Sequence, residues 1–296
     1  MSYVLSAETT GHERDFSSHD VARAIRAAQR SAHRILLSLA VIAVIALNAG
    51  SCTTTPGDSA SVIVDGRSVA YRVLGSGEPV VVMLSGLGDG MDSFEDVAPD
   101  IAKVATVIIF DRAGYGGSAA ASSPRDAEAV DRELSGLLAQ IGVRGPYVLL
   151  GHSVGGLYAE YIAAKHGDQV TGLILEESRP ADFSRRCEAA QAGWCTPPTL
   201  LTWLMPRGAQ DEFGALAATI AQVESMRSAS GQRVMILSRS VPDEPTAIDA
   251  LWAQAQTDLA ARYDGSQHLI AAHAGHYVHH DERAWFVASI TKFLTR

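Results

Sequence analysis

The sequence feature that most constrains this chain is the glycine-rich run Gly151-His152-Ser153-Val154-Gly155-Gly156. The apolar run 146–150 before it predicts a buried strand, and the run 157–164 after it predicts a helix. A strand-to-helix turn this sharp forces its central residue into a strained conformation, and side chains two positions away on either side would clash. Glycine at 151 and 155 removes those side chains. The pattern therefore predicts that Ser153 is presented at the N-terminus of a helix as a nucleophile.

From Ser61 onward the chain alternates short apolar runs with helix-like segments. Continuous apolar runs at 79–84 and 106–110 are typical of central parallel strands. Asp65-Gly66, between two β-like runs, indicates a hairpin. Residues 126–142 place apolar side chains on one face and predict an amphipathic helix. Repeated strand–helix units predict an α/β protein whose mostly parallel sheet is covered by helices on both faces.

Residues 178–231 interrupt this alternation with a longer and more helical stretch, which we expect to be a lid. Its large apolar side chains suit either an apolar acyl or aryl group or packing within the lid itself. They are Trp194, Trp203, Leu204 and Met205. Cys187 and Cys195 lie eight positions apart in the same stretch, and in an oxidising compartment this spacing favours a disulfide.

The first 51 residues have the composition of an export signal. Five arginines precede an uncharged apolar run of 13 residues, Ile35 to Leu47. This run is shorter than the roughly 20 residues of a membrane-spanning helix and within the roughly 7–15 of a signal-peptide core. The small residues that follow, Ala49-Gly50-Ser51-Cys52, resemble the lipobox of bacterial lipoproteins, in which lipid is attached to the cysteine. We expect export and tethering through Cys52, with a plain signal peptide or an uncleaved anchor as alternatives.

The remainder divides into a short polar linker, 52–60, and one domain, 61–296. The net charge of the chain is −9, which argues against nucleic acid as a partner. No histidine or cysteine group has metal-ligand spacing, so we expect neither a metal nor an organic cofactor.

Four motifs carry a family resemblance that covers residues 61–296. They are Ser85-Gly86-Leu87-Gly88 after a central strand, the turn 110–118, the run 151–156, and the stretch 274–281 that contains Gly275-His276. Together they resemble the α/β-hydrolase family, which implies the α/β-hydrolase fold with a helical lid.

The resemblance also implies a catalytic triad. Ser153 is its nucleophile, and His276, which follows a glycine after the last strand, matches the position of the base. The acid follows one of two strands in this family. Glu176, directly after the run that ends at Leu175, is the favoured candidate, and Asp243, farther from its strand, is the alternative. We expect His279 and His280 to form a polar surface or rim.

Two backbone N–H groups are expected to stabilise the oxyanion of the reaction. The N–H of Val154 directly follows the nucleophile, and the N–H of Leu87 lies in the loop after a central strand. Gly86 and Gly88 let this loop approach a substrate closely.

These residues predict a serine hydrolase that cleaves an ester or related acyl bond of a small molecule through an acyl-enzyme. A C–C hydrolase, a thioesterase and a lactonase remain alternatives on the same fold. Relatives that act as dehalogenases or epoxide hydrolases carry aspartate at the position of Ser153, which disfavours those activities. An alternative outside the enzymes is a non-catalytic binding protein that is tethered to the cell surface.

Overall fold

The computed structural model describes residues 59–122, 124–192, 204–226, 231–242 and 247–296. These residues form a sheet of eight strands. The strands are β1 (Ala60–Val64), β2 (Arg67–Leu74), β3 (Val80–Leu84), β4 (Thr106–Phe110), β5 (Tyr147–His152), β6 (Val170–Glu176), β7 (Arg233–Arg239) and β8 (Gln267–Ala271).

A 3-10 turn at Met91–Phe94 and a series of helices connect the strands. The helices are α1 (Ala98–Ile101), α2 (Ala127–Gln140), α3 (Val154–Lys165), α4 (Phe183–Ala189), α5 (Arg207–Gly214), α6 (Leu216–Ser225), α7 (Ala247–Ala261), α8 (Val278–Asp281) and α9 (Arg283–Leu294). The Asp126 carboxylate caps α2 by accepting a hydrogen bond from the N–H of Ala129, so this helix begins at Ala127.

The strand order is β1-β2-β4-β3-β5-β6-β7-β8. β1 and β2 form the expected hairpin, in which Asp65 and Gly66 both have positive φ, as a tight two-residue turn requires. β2 also pairs antiparallel with β4, and the pairs from β4 to β8 are all parallel. The prediction of a mostly parallel sheet is confirmed.

Hydrophobic clusters cover both faces of the sheet. One contains Val82 and Leu149 with the apolar faces of α2 and α3, and the other contains Val81 and Leu150 with α1, α8 and α9. Because successive residues of a strand point to opposite faces, β3 and β5 need apolar side chains at nearly every position. This explains why both strands are continuous apolar runs in the sequence.

The parallel register brings three strand ends together. His152 at the end of β5 pairs with Glu176 of β6, and Glu176 pairs with Leu237 of β7. Ligands of open α/β sheets bind outside the carboxyl ends of the strands, where the strand order reverses. In this sheet that region lies around β3 and β5.

The described residues between β6 and β7 include three helices, α4, α5 and α6. Cys52 and the segment 1–51 lie outside the described residues, as does all of the linker except residues 59 and 60. Within the described ranges, no helix combines the length and hydrophobicity that crossing a membrane would require.

Candidate active site

The turn from β5 to α3 holds Ser153 in a strained conformation, with φ 53° and ψ −120°. A Cβ on Gly151 would lie 2.5 Å from the carbonyl oxygen of Gly155. A Cβ on Gly155 would lie 2.2 Å from the carbonyl oxygen of Leu84 in β3. Real side chains do not approach backbone oxygens so closely, so the turn requires glycine at both positions, as the sequence indicated.

Backbone hydrogen bonds fix this turn to the end of β6. The N–H of Ser153 donates to the carbonyl oxygen of Glu176 at 3.1 Å. The carbonyl oxygen of Ser153 accepts from the N–H of Gly156 at 3.1 Å and from the N–H of Arg179 at 3.0 Å. The strained backbone is therefore held by neighbours on both sides.

His276 lies in the loop after β8, and its ring lines the same cavity as Ser153. Its Nδ1 lies 3.3 Å from Oε2 of Glu177, and its carbonyl oxygen lies 2.9 Å from Nε2 of His152. The ring of Trp252 packs edge-on against the His276 ring, with centroids 5.7 Å apart. Both the backbone and the ring of His276 therefore have fixed neighbours.

Glu177 is fully buried and follows the last residue of β6 with a positive φ of 44°. Its Oε1 accepts a hydrogen bond from the backbone N–H of Arg239 at 2.9 Å. Its Oε2 accepts one from Nε1 of Trp252 at 2.8 Å and lies 3.4 Å from Nε of Arg239. Both oxygens of the Glu177 carboxylate therefore have fixed partners beside the His276 ring.

Glu176, the favoured acid in the sequence, binds a different histidine. Its Oε1 accepts hydrogen bonds from Nδ1 of His279 at 2.6 Å and from the backbone N–H of His279 at 2.8 Å. The expectation that Glu176 orients His276 is therefore corrected, because the side chain leaves β6 toward α8. Asp243, the alternative acid, lies outside the described residues.

His279 is fully buried, so the expectation that it forms a polar rim is wrong. Burial by itself lowers the pKa of His279, but the Glu176 carboxylate outweighs burial and raises that pKa above its usual value. Burial likewise tends to raise the pKa of Glu176, but the charge and hydrogen bonds of His279 lower that pKa below its usual value. The two residues form a buried ion pair behind the turn that carries Ser153.

His152 is also buried, and desolvation lowers its pKa to about 3, so its ring is neutral at pH 7. One group of side chains in the described part of the chain could hold a metal ion by distance alone. Its donor atoms lie within 4.8 Å of one another, and it consists of His152, Glu176 and His279. Glu176 and His279 already bind each other, and Nε2 of His152 lies on the carbonyl oxygen of His276. The ion pair thus accounts for Oε1 of Glu176 and Nδ1 of His279, whereas Nδ1 of His152 and Oε2 of Glu176 are buried without a hydrogen-bond partner among the described residues.

The loop 85–88 is held by a buried arginine. Nη1 of Arg112 donates to the carbonyl oxygen of Ser85, and Nη2 donates to that of Gly86, both at 2.8 Å. The same guanidinium forms two hydrogen bonds to Glu212 of α5, at 2.6 and 2.9 Å. Leu87 and Val154, the two expected oxyanion donors, line the cavity together with Ser153.

The cavity at Ser153 has a volume of about 290 Å³. Besides Ser153, its lining consists of Leu87, Val154, Arg179, Phe183, Phe213, Leu216, Arg239, Ile248, Trp252 and His276. The apolar residues of the described part of 178–231 that line it are Phe183, Phe213 and Leu216, and Leu204 and Met205 are not among the lining residues. Leu204 is 73% exposed, and Trp194 and Trp203 lie outside the described residues.

Cys187 on α4 is buried and takes part in a disulfide. Its expected partner, Cys195, lies outside the described residues, so the pairing stays a prediction.

Sequence analysis missed Glu177 and the two cavity arginines, Arg179 and Arg239. The signal for Glu177 was the presence of two adjacent glutamates where an apolar strand ends. Since neighbouring residues at such an edge point in different directions, the pair itself indicated two separate partners.

A family model described as alpha/beta hydrolase fold matches residues 79–267. An uncharacterized protein of Schizosaccharomyces pombe is 32% identical over 124 residues, which cover 41% of this chain and 22% of that protein. The chain thus matches about a fifth of the length of this relative.

Solved structures of two enzymes share the fold. An enol-lactonase from Burkholderia xenovorans superposes with a TM-score of 0.59 at 19% identity, over 80% of this chain and all of the other. A thermophilic esterase from Thermogutta terrifontis superposes with a TM-score of 0.60 at 20% identity, over 81% of this chain and 98% of the other. The family model covers more than half of the chain and the fold agrees with it, so the chain belongs to the alpha/beta hydrolase fold family.

Proposed function

We propose that this protein is a serine hydrolase that cleaves an ester or related acyl bond of a small molecule, with Ser153, His276 and Glu177 as its triad. The observation that carries the proposal is the hydrogen-bond distance from Glu177 to His276, whose ring lines one cavity with the strained Ser153. A serine hydroxyl is a weak nucleophile at neutral pH and needs such a base.

In this mechanism Nε2 of His276 takes the proton of Ser153 as Oγ attacks the acyl carbon. Glu177 accepts the hydrogen bond of Nδ1–H, which fixes the tautomer and stabilises the imidazolium that forms. The N–H groups of Val154 and Leu87 stabilise the oxyanion. His276 then protonates the leaving group, and a water molecule activated by the same ring cleaves the acyl-enzyme.

Labelling with a fluorophosphonate tests this chemistry, since the reagent modifies only an activated serine. We expect one adduct, located on Ser153 by peptide mass spectrometry, and none in Ser153→Ala. Ser240→Ala removes an exposed serine next to the same strand ends and should label like the wild type. Equal labelling of wild type and Ser153→Ala would refute the proposal. A panel of esters, thioesters and lactones then separates the related hydrolase activities.

We further propose that the protein is exported and tethered through Cys52. The support is the uncharged run of 13 residues ahead of Ala49-Gly50-Ser51-Cys52. Expression in a bacterial host that processes lipoproteins, grown with a labelled fatty acid, should label the wild type and leave Cys52→Ala unlabelled. Equal labelling of the two would exclude the lipid anchor.

A further inference from the structure

Arg179 lies next to the nucleophile. It follows Glu177 by two positions, and its backbone N–H donates to the carbonyl oxygen of Ser153 at 3.0 Å. Its side chain lines the cavity that contains Ser153 and His276. A short chain of covalent and hydrogen bonds therefore ties its position to the reacting centre.

No carboxylate of the described residues pairs with the Arg179 guanidinium. Its Nη2 donates to the Ser184 hydroxyl at 2.6 Å, and its centre lies 5.4 Å from the ring centroid of Phe183. Its Nε is buried and has no hydrogen-bond partner among the same residues. Desolvation lowers the pKa of Arg179 from its usual value, and no acid of the described ranges opposes this effect.

The two arginines that are fully buried in the described ranges, Arg112 and Arg125, have acidic partners. Arg112 binds Glu212 through two hydrogen bonds, and Arg125 binds Glu133 at 2.7 Å. The second arginine of the cavity, Arg239, lies 2.7 Å from Asp249 and 3.4 Å from Glu177. Arg179 is only half-buried, but its Nε is fully buried. Since removing a charge from water is costly unless it is paired, Arg179 stands out as a cation whose counter-charge is missing from the described part of the fold.

The lining of the cavity around Arg179 suits an anion. The described lining around Arg179 contains no acidic side chain and is mostly apolar, with Phe183, Phe213 and Trp252 among its members. The attraction between opposite charges is stronger where water is excluded. The planar guanidinium can also donate two parallel hydrogen bonds to the two oxygens of a carboxylate.

We propose that Arg179 binds a carboxylate of the substrate, so that the natural substrate is an ester or related acyl compound that also carries a free carboxylate. This inference rests on the proposed hydrolase function and narrows its substrate class. Arg179 acts as the specificity residue, whereas Ser153 and His276 perform the reaction.

Turnover of matched esters tests the inference. One pair compares mono-p-nitrophenyl glutarate with p-nitrophenyl butyrate, and a second compares 4-acetoxybenzoate with its methyl ester, so that the carboxylate lies on the acyl or the alcohol side. In at least one pair the wild type should prefer the charged ester. Charge-assisted hydrogen bonds of this kind imply that Arg179→Met lowers the kcat/KM ratio of charged to neutral ester about 10- to 100-fold.

Two further variants sharpen the comparison. Arg179→Lys keeps the positive charge but lacks the planar guanidinium that forms two parallel hydrogen bonds. It should retain part of the preference for the charged ester. Arg185→Met removes an exposed arginine from α4 that pairs with Glu224, and it should leave the ratio unchanged. A ratio that is near one in the wild type for both pairs, or unchanged in Arg179→Met, would overturn the inference.

A binding measurement separates this inference from the proposed function. Monomethyl glutarate and dimethyl glutarate are titrated calorimetrically into Ser153→Ala and into Ser153→Ala with Arg179→Met. If Ser153→Ala binds the monoester but not the diester, and the double variant binds neither, the carboxylate site is supported even if no ester is hydrolysed. Equal binding of the two esters contradicts the site, and Ser153-dependent turnover of neutral esters would then still support the hydrolase.

Discussion

Glu176 and Glu177 are adjacent in the chain, yet their carboxylates bind two different histidines. Glu176 binds His279, and Glu177 lies against His276. Both glutamates are fully buried, so each carboxylate needs its own donors. Glu177 has a positive φ directly after the last residue of β6, and its side chain lies against His276 rather than His279.

The buried pair of Glu176 and His279 should give stability a characteristic pH dependence. His279 has a raised pKa, so its contribution is complete below about pH 6.5 and is lost as the pH rises through the folded-state pKa. Glu176 has a lowered pKa, so its contribution is complete above about pH 4.5 and is lost as the pH falls through the folded-state pKa. The pair is therefore most stabilising between these two values.

We expect His279→Gln to lower the free energy of unfolding by about 3–5 kcal/mol near pH 5.5, because it leaves the Glu176 charge buried and unpaired. The deficit relative to wild type should shrink above pH 6.5. Urea unfolding followed by circular dichroism at a series of pH values measures it, with the exposed His273→Gln as the control. A deficit that is the same from pH 5 to pH 9 would contradict the ion pair.

Arg112 links the helix α5 to the loop that carries Leu87. Glu212→Gln should weaken its buried two-point contact with Arg112 and lower the free energy of unfolding by about 3 kcal/mol or more. Asp211→Asn, next to it on α5, breaks a pair with the exposed Arg207 and should change stability by less than about 1 kcal/mol. Thermal unfolding of both variants checks this, and equal midpoints would contradict it.

The turn at Ser153 should not tolerate a side chain at Gly155. Gly155→Ala places a methyl group against the carbonyl oxygens of Leu84 and Ser85, so we expect a loss of about 3 kcal/mol or more, or no soluble protein. Gly214→Ala, at the end of α5, meets open space and should change stability by less than about 1 kcal/mol. Yield and denaturant unfolding measure both. Wild-type stability of Gly155→Ala would show that the turn is looser than described.

The fold could be predicted from the sequence because its signals are local. The apolar runs of β3 and β5 report burial on both faces, and the two glycines around Ser153 report a sharp turn. Each of these features depends on a few neighbouring residues, so each can be predicted without the contacts between distant parts of the chain.

The acid and the specificity residue could not be predicted in the same way. Whether Glu176 or Glu177 faces His276 depends on the direction in which the chain leaves β6, and the histidine is about a hundred positions away. Whether Arg179 has an acidic partner depends on residues that are distant in the sequence. Among the described residues it has none, and a local sequence pattern cannot show this. The pairing of His279 similarly depends on how α8 packs behind the sheet.

We propose above that Glu177 orients His276 for attack by Ser153. The most direct test is kcat/KM for p-nitrophenyl acetate in Glu177→Gln and Asp243→Asn, with folding of each checked by circular dichroism. An amide cannot stabilise the imidazolium, so Glu177→Gln should lose about 10²- to 10⁴-fold, whereas Asp243→Asn should stay within about threefold of wild type. Near wild-type activity of Glu177→Gln, together with a large loss in Asp243→Asn, would contradict the account.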